Sequence, residues 1–292
     1  MSLSPVLVTP LSTHTTPSSL PFQMEDAHVT VDQYAGHPRQ GYFAVYDGHG
    51  GRGVVEFIER QLHLNLETEL DEAKQSRRSV EECMKSAYLL TDIQTKEANL
   101  VMDGSTAVSC FIEVVESEGS AGSKGEGSDE EVRILHTANC GDARAVLARG
   151  NEAIRLTFDH KASDPGEQKR IEASQGFVLR GRVLGILAVS RSFGDHALKQ
   201  FVPALPFYRK DRLVSDDRFL IVACDGVWDV MTDQEAVDFV DKRIDEALAA
   251  GESMPDNPFR NFELSVAQAL VDEALERQSK DNITVQIVLL RR

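Results

Sequence analysis

Apolar positions along the chain recur with two periods. Short apolar blocks or period-two alternations, bounded by turn residues, predict strands at YFAVY (42–46), AVSCFIEVV (107–115), VRILHTA (132–138), AVLAR (145–149), RFLIVAC (218–224) and ITVQIVLL (283–290). Spacings of three and four predict helices elsewhere. One runs from about Gly53 to Leu70, with Val54, Phe57, Ile58 and Leu62 on one face. A second opens at Ser79, where Glu82 stands in the third helical position of a capping box. A third opens at Thr232 with Glu235 in the same relation and continues through Val237, Val240, Ile244 and Leu248. The last runs from about Glu263 to Arg277. Strands cluster mid-chain and helices come in pairs rather than in strict alternation. That pattern favours an α+β protein, antiparallel sheets covered by helices, over a doubly wound parallel sheet.

Two stretches carry neither period. Residues 1–21 are rich in Ser, Thr and Pro and read as an irregular arm or an edge strand. Residues 116–131, ESEGSAGSKGEGSDEE, read as a disordered acidic, Gly/Ser-rich hairpin loop between two strands. The 292 residues, 41% of them apolar, suffice for one large core. A formal charge of -16 argues against nucleic-acid or membrane-surface partners. Cys83, Cys110, Cys140 and Cys224 sit in or beside apolar runs, without CxxC or zinc-type spacing. They are expected to be buried reduced thiols, which points to a soluble intracellular protein. No run is long enough to span a membrane and the N-terminus lacks a signal-peptide pattern.

The chemistry concentrates at strand ends. FAVYDGHGG (43–51) is an apolar strand ending in Asp47, with Gly48 offering an unshielded carbonyl and His49 next to it. A carboxylate beside an open carbonyl suits a hard, oxygen-loving cation such as Mg²⁺ or Mn²⁺. FLIVACDGVWD (219–229) repeats the design with Asp225 and Asp229. Asp281 and Asn282 precede the last strand, Glu25 and Asp26 lie near the start, and Asp142 marks a turn between two strands. Each alone reads as an ordinary loop carboxylate; together they suggest one rim gathered by metal.

MEDA, FAVYDGHGG, DGSTA, NCGDAR, DHK, LAVSRSFGD, ACDGVWDVM and DN occur in that order. The chain thereby resembles the type 2C, or PPM-type, metal-dependent serine/threonine protein phosphatases from about Met24 to its C-terminus. The resemblance implies a single phosphatase domain over 22–292, a sandwich of two antiparallel sheets flanked by helices in α-β-β-α layers. It implies two divalent cations held by Asp47, the Gly48 carbonyl, Asp225 and Asp281, with Glu25 and Asp26 acting through water or from behind. Asp142 and Asp229 match positions that help hold a third cation in some members, and His49 matches the proposed general acid. The implied reaction is hydrolysis of phosphoserine and phosphothreonine in phosphoproteins by a water activated between the cations, with a monomer expected.

One departure stands out. The family places a phosphate-gripping arginine three residues before the methionine of Met-Glu-Asp, and this chain has Pro21 there. Proline carries neither charge nor N–H, so it cannot substitute. Arg52, Arg180 and Arg182 are the candidate replacements. The alternative reading is a phosphatase-like module of weak or no activity that binds and regulates signalling partners.

Overall fold

The computed structural model describes residues 24–115, 132–249 and 259–290. Pro21 with the rest of the N-terminal arm, and the loop at 116–131, lie outside the described residues. Among the described residues, nine strands build two antiparallel sheets. The first holds β1 (Ala27–Asp32), β2 (Gly41–Tyr46), β3 (Ala107–Val115), β4 (Val132–Cys140) and β7 (Phe207–Arg212), in spatial order β1-β2-β3-β4-β7. The second holds β5 (Arg144–Arg149), β6 (Glu152–Arg155), β8 (Asp217–Ala223) and β9 (Val285–Leu289), in order β9-β8-β5-β6. Helices α1 (Gly53–Ser76) and α2 (Val80–Glu97) cover the first sheet. Helices α4 (Asp233–Ala249) and α5 (Phe259–Glu276) cover the second. The expected α-β-β-α sandwich is therefore observed.

The sequence dictates this layering because the central strands are apolar on both faces. In β2, Tyr42, Ala44 and Tyr46 point to α1 and α2, while Phe43 and Val45 point into the space between the sheets. In β8, Leu220 and Val222 meet them there, and Phe219, Ile221 and Ala223 pack against Val237 and Val240 of α4 and Leu270 and Val271 of α5. Full burial of each such side chain contributes about 1.5–3 kcal/mol. Both capping boxes form: the Glu82 carboxylate accepts from the Ser79 N–H, and the Glu235 carboxylate from the Thr232 N–H.

Several elements differ from the sequence-based expectation, strand β6 and a helix at Pro165–Ala173 among them. Helix α1 continues past Leu70 to Ser76, because nothing in Asp71–Lys74 breaks a helix before Arg77 turns left-handed at φ 58°. Strands β1 and β7 were not anticipated. β7 reads FYRKDR, an edge strand whose charged residues mask its alternation, with Arg209 clasping Asp211. Residues between β6 and β7 form a small lobe of their own. It contains α3 (Pro165–Ala173), capped by Asp164, and a short hairpin of Val178–Leu179 with Arg182–Val183, around Ala162, Ile171, Val183 and Val202. All four cysteines are buried free thiols. Among the described residues no helix is long and apolar enough to cross a membrane.

Candidate metal centre

The two central strands, β2 and β8, discharge their ends into one cleft of about 390 Å³. Glu25, Asp47, Gly48, His49, Asp142, Asp225 and Asp281 all line it. The Asp47 carbonyl accepts from the Thr106 N–H at 2.8 Å and from Ser105 Oγ at 3.2 Å, so the turn after β2 is fixed. Gly48 lies against the Glu25 carbonyl and Val55, and a Cβ there would fall well inside 3.0 Å of that carbonyl. Any larger residue would push the two acidic segments apart.

The N-terminal acids are pinned by the segment before β9. The Glu25 N–H donates to Asn282 Oδ1 at 2.9 Å, and Thr284 Oγ1 donates to Asp26 Oδ2 at 2.6 Å. The Asp225 turn is stitched to the same segment. Ser279 Oγ donates to the Gly226 carbonyl at 2.7 Å, and the Cys224 N–H donates to the Thr284 carbonyl at 3.2 Å. Asp281 accepts from the Asn282 N–H at 2.8 Å and stands exposed at the rim.

Electrostatically the cluster is short of positive charge. Burial, then the Asp26, Asp225, Asp142 and Asp281 carboxylates, push Asp47 well above the ordinary carboxylate range. Asp225 rises to about 8 through burial and repulsion from Asp142, Asp281 and Asp229. Asp26 rises to about 6, chiefly by burial. Asp26 Oδ1, Asp225 Oδ1 and Thr106 Oγ1 are buried without a hydrogen-bond partner. Orphaned carboxylate oxygens among mutually repelling acids fit the oxygen coordination of a hard divalent cation. Asp26, Asp47 and Cys224 bring ligand atoms within 4.8 Å of one another, but the thiol is engaged by the Thr284 N–H and the Asn282 carbonyl.

Asp142 and Asp229 are brought together, with the Lys161 ammonium between them. Of the three arginines, Arg182 lines the cleft, its guanidinium donating to the Ile186 carbonyl. Arg52 turns to Glu56 and the Met24 carbonyl, and Arg180 does not line the cleft. His160 is buried against the Gly141 carbonyl, and burial first, then Arg191, pushes it down to about 4.

Sequence reasoning assigned no role to three site residues. Asp195 accepts from His49 Nε2 at 2.8 Å and from Ser192 Oγ. Lys280 lines the cleft beside Asp281, and Lys161 bridges Asp142 and Asp229. Asp195 and Lys161 both lie inside motifs quoted for the resemblance; their partners are distant in sequence, and no local pattern reveals such pairs.

Comparison with known proteins shows what the chain is similar to. The profile described as "Protein phosphatase 2C" matches residues 17–283. "Protein phosphatase 2C homolog 1" of Saccharomyces cerevisiae is 36% identical over 267 residues, covering 91% of this chain and 88% of the yeast protein. Its namesake in Schizosaccharomyces pombe is 36% identical over 276 residues, covering 92% of this chain and 69% of that protein. In fold, the chain resembles serine-threonine phosphatase 2C from Toxoplasma gondii, with a TM-score of 0.72 and 21% identity, over 98% of this chain and 100% of that one.

Proposed function

This chain belongs to the protein phosphatase 2C family, and from that premise we propose that it hydrolyses phosphoserine and phosphothreonine in phosphoproteins with two divalent cations, Mg²⁺ or Mn²⁺. The observation that carries the reading is the group of mutually repelling carboxylates gathered at the cleft, with the buried Asp225 Oδ1 left unpartnered, an arrangement that is costly unless a cation joins them. Asp47, the Gly48 carbonyl, Asp225 and Asp281 would hold the cations, with Glu25 and Asp26 behind them. When bound, the pair supplies positive charge that acidifies a water and polarises the phosphate.

The chain's own residues supply the rest. To act as the acid, the His49 ring would carry a proton on each nitrogen: the Nε2–H is committed to the Asp195 carboxylate, and the Nδ1–H is left to pass to the departing serine or threonine oxygen. Such assistance is worth on the order of 10²–10⁴-fold. Arg182, carried to the cleft by the hairpin of the small lobe, is our choice for the phosphate contact that Pro21 cannot make. Its guanidinium suits a phosphate as a planar donor fork. We place the protein inside the cell as a soluble monomer.

The test is hydrolysis of a phosphothreonine peptide with Mn²⁺, with EDTA, and by Asp225→Asn. Activity that requires Mn²⁺ and collapses in the variant supports the reading. A folded protein inert at saturating Mn²⁺ and substrate would instead leave the binding module as the function.

A further inference from the structure

Lys161 stands between the two carboxylates that the family resemblance associates with a third cation. Its Nζ lies 3.1 Å from Asp229 Oδ1 and 3.6 Å from Asp142 Oδ2. Asp142 is buried and Asp229 is exposed, so the ammonium spans the step from cleft floor to solvent.

The backbone that carries Lys161 is fixed on both sides. Its N–H donates to the Asp159 carbonyl at 2.9 Å, and Arg144 clasps the Asp159 side chain. The preceding His160 N–H donates to the Gly141 carbonyl at 2.9 Å, one residue from Asp142. The following Ala162 N–H donates to the Ala188 carbonyl at 2.7 Å, and Lys161 itself pairs with Val189. Ala188 and Val189 both line the cleft. The side chain, 41% exposed, is thus launched from a fixed base towards the two acids.

We propose that Lys161 is a built-in cation at the Asp142–Asp229 position, which a third divalent ion can occupy only by displacing the ammonium. The idea rests on the two-cation reading above. A small divalent ion draws carboxylate oxygens to about 2.0–2.6 Å, closer than an ammonium held by hydrogen bonds. Two positive centres sharing the same pair of carboxylates repel strongly at such separations. Lysine suits the part because its charge is compact and its four-carbon stem can swing aside. The bound ammonium thus offsets half of the pair's charge at rest and sets a threshold for the extra ion.

The experiment counts Mn²⁺ ions bound to the full chain by electron paramagnetic resonance of the free ion. It compares the native protein with Lys161→Gln, Lys161→Arg and the double variant Lys161→Gln/Asp229→Asn. Lys161→Gln is expected to bind an extra Mn²⁺ on the order of tenfold more tightly than the native chain does. Lys161→Arg, which keeps the charge, is expected to stay near the native chain, and the double variant to lose the gain. Should Lys161→Gln fail to fold, Lys161→Met removes the same charge with a stem of similar length. An unchanged Mn²⁺ count and affinity in Lys161→Gln, or a gain that survives Asp229→Asn, overturns the proposal while leaving the tight ions in place. Absence of tightly bound Mn²⁺ in every variant sinks the two-cation reading, and this proposal with it.

Discussion

His49 Nε2 and Asp195 Oδ2 stand 2.8 Å apart across Gly104. Gly104–Ser105 is the middle strand of a three-stranded ribbon whose outer strands are Gly48–His49 and Phe193–Gly194. His49 and Gly194 both pair with Gly104, so the residue between the two must be small. A Cβ on Gly104 would lie well under 3.0 Å from both His49 Nε2 and Asp195 Oδ2. The Asp195 carboxyl is held below its usual range: burial opposes this, and the hydrogen bonds from His49 and Ser192 outweigh it. The result is an acceptor that holds the Nε2–H and the tilt of the ring, so that Nδ1 is turned away from Asp195.

Gly104→Ala should therefore separate the pair. We expect kcat on a phosphothreonine peptide to fall by about 10²-fold, the lower end of what a positioned general acid provides. Asp195→Asn, which leaves the space but turns an acceptor into a weaker partner, should lower kcat less. Mn²⁺ affinity should stay near the native value in both. Native turnover in Gly104→Ala would show that the His49–Asp195 contact is dispensable.

The phosphate contact is the next test. Losing a charge-assisted bond to phosphate costs about 1.5–3 kcal/mol. Arg182→Ala should then raise KM roughly ten- to a hundredfold, with a smaller effect on kcat. Arg52→Ala should act mainly on stability, because that guanidinium is committed to Glu56 and the Met24 carbonyl. Placing an arginine at 21 (Pro21→Arg) should lower KM in the native chain and restore much of the loss in Arg182→Ala. Equal KM values for the native chain and Arg182→Ala would move the phosphate contact elsewhere, with Lys280 the next candidate in the cleft.

How much of this was legible beforehand follows from which interactions are local. β2, β3 and β8 carry apolar side chains on both faces, so their runs stood out within a residue or two of the observed ends. Ser79 and Thr232 announced their helices because a capping box lies within four residues of chain. β7 escaped because an edge strand can afford Arg209, Lys210, Asp211 and Arg212. The acids at strand ends were visible, whereas what each one touches was not. Lys161 meets Asp229 across 68 residues and His49 meets Asp195 across 146, distances at which no periodicity survives. The structure also divides the three arginine candidates, since only Arg182 lines the cleft.

Cation binding should be readable as stability. Asp225 is raised to about 8 by burial and by its acidic neighbours, so in EDTA each of these carboxylates weakens the fold. Asp225→Asn should raise the Tm of the EDTA-treated protein while shrinking the rise that Mn²⁺ produces. A ligand at a hundred times its Kd adds about 2.7 kcal/mol per site to the native chain. A variant that is less stable than the native chain in EDTA would mean that Asp225 is held by contacts rather than strained by charge.

The small lobe offers a pH test that is independent of the cleft acids. Glu167 is buried at its base and accepts from Arg170 Nη2 at 2.9 Å, Arg191 Nη2 at 2.7 Å and Ser190 Oγ at 2.8 Å. Burial alone would raise its pKa, but the two guanidiniums and the hydroxyl overcome burial and bring it down to about 2 from an ordinary 4.5. A carboxyl depressed in the folded state contributes stability that is complete above the unfolded value. That contribution drains away as pH falls from about 4.5 to 2, and at neutral pH it is about 3 kcal/mol. Glu167→Gln should therefore destabilise the protein at pH 7, and the gap from the native chain should narrow steadily below pH 4.5. Denaturant unfolding at a series of pH values in EDTA measures that gap. A difference that stays constant from pH 7 to 3 would assign the loss to packing instead of charge. Because Arg191 also donates to the Leu205 carbonyl and Arg170 to the Phe201 carbonyl, the same substitution should loosen the lobe that carries Arg182. A KM increase should accompany the loss of stability.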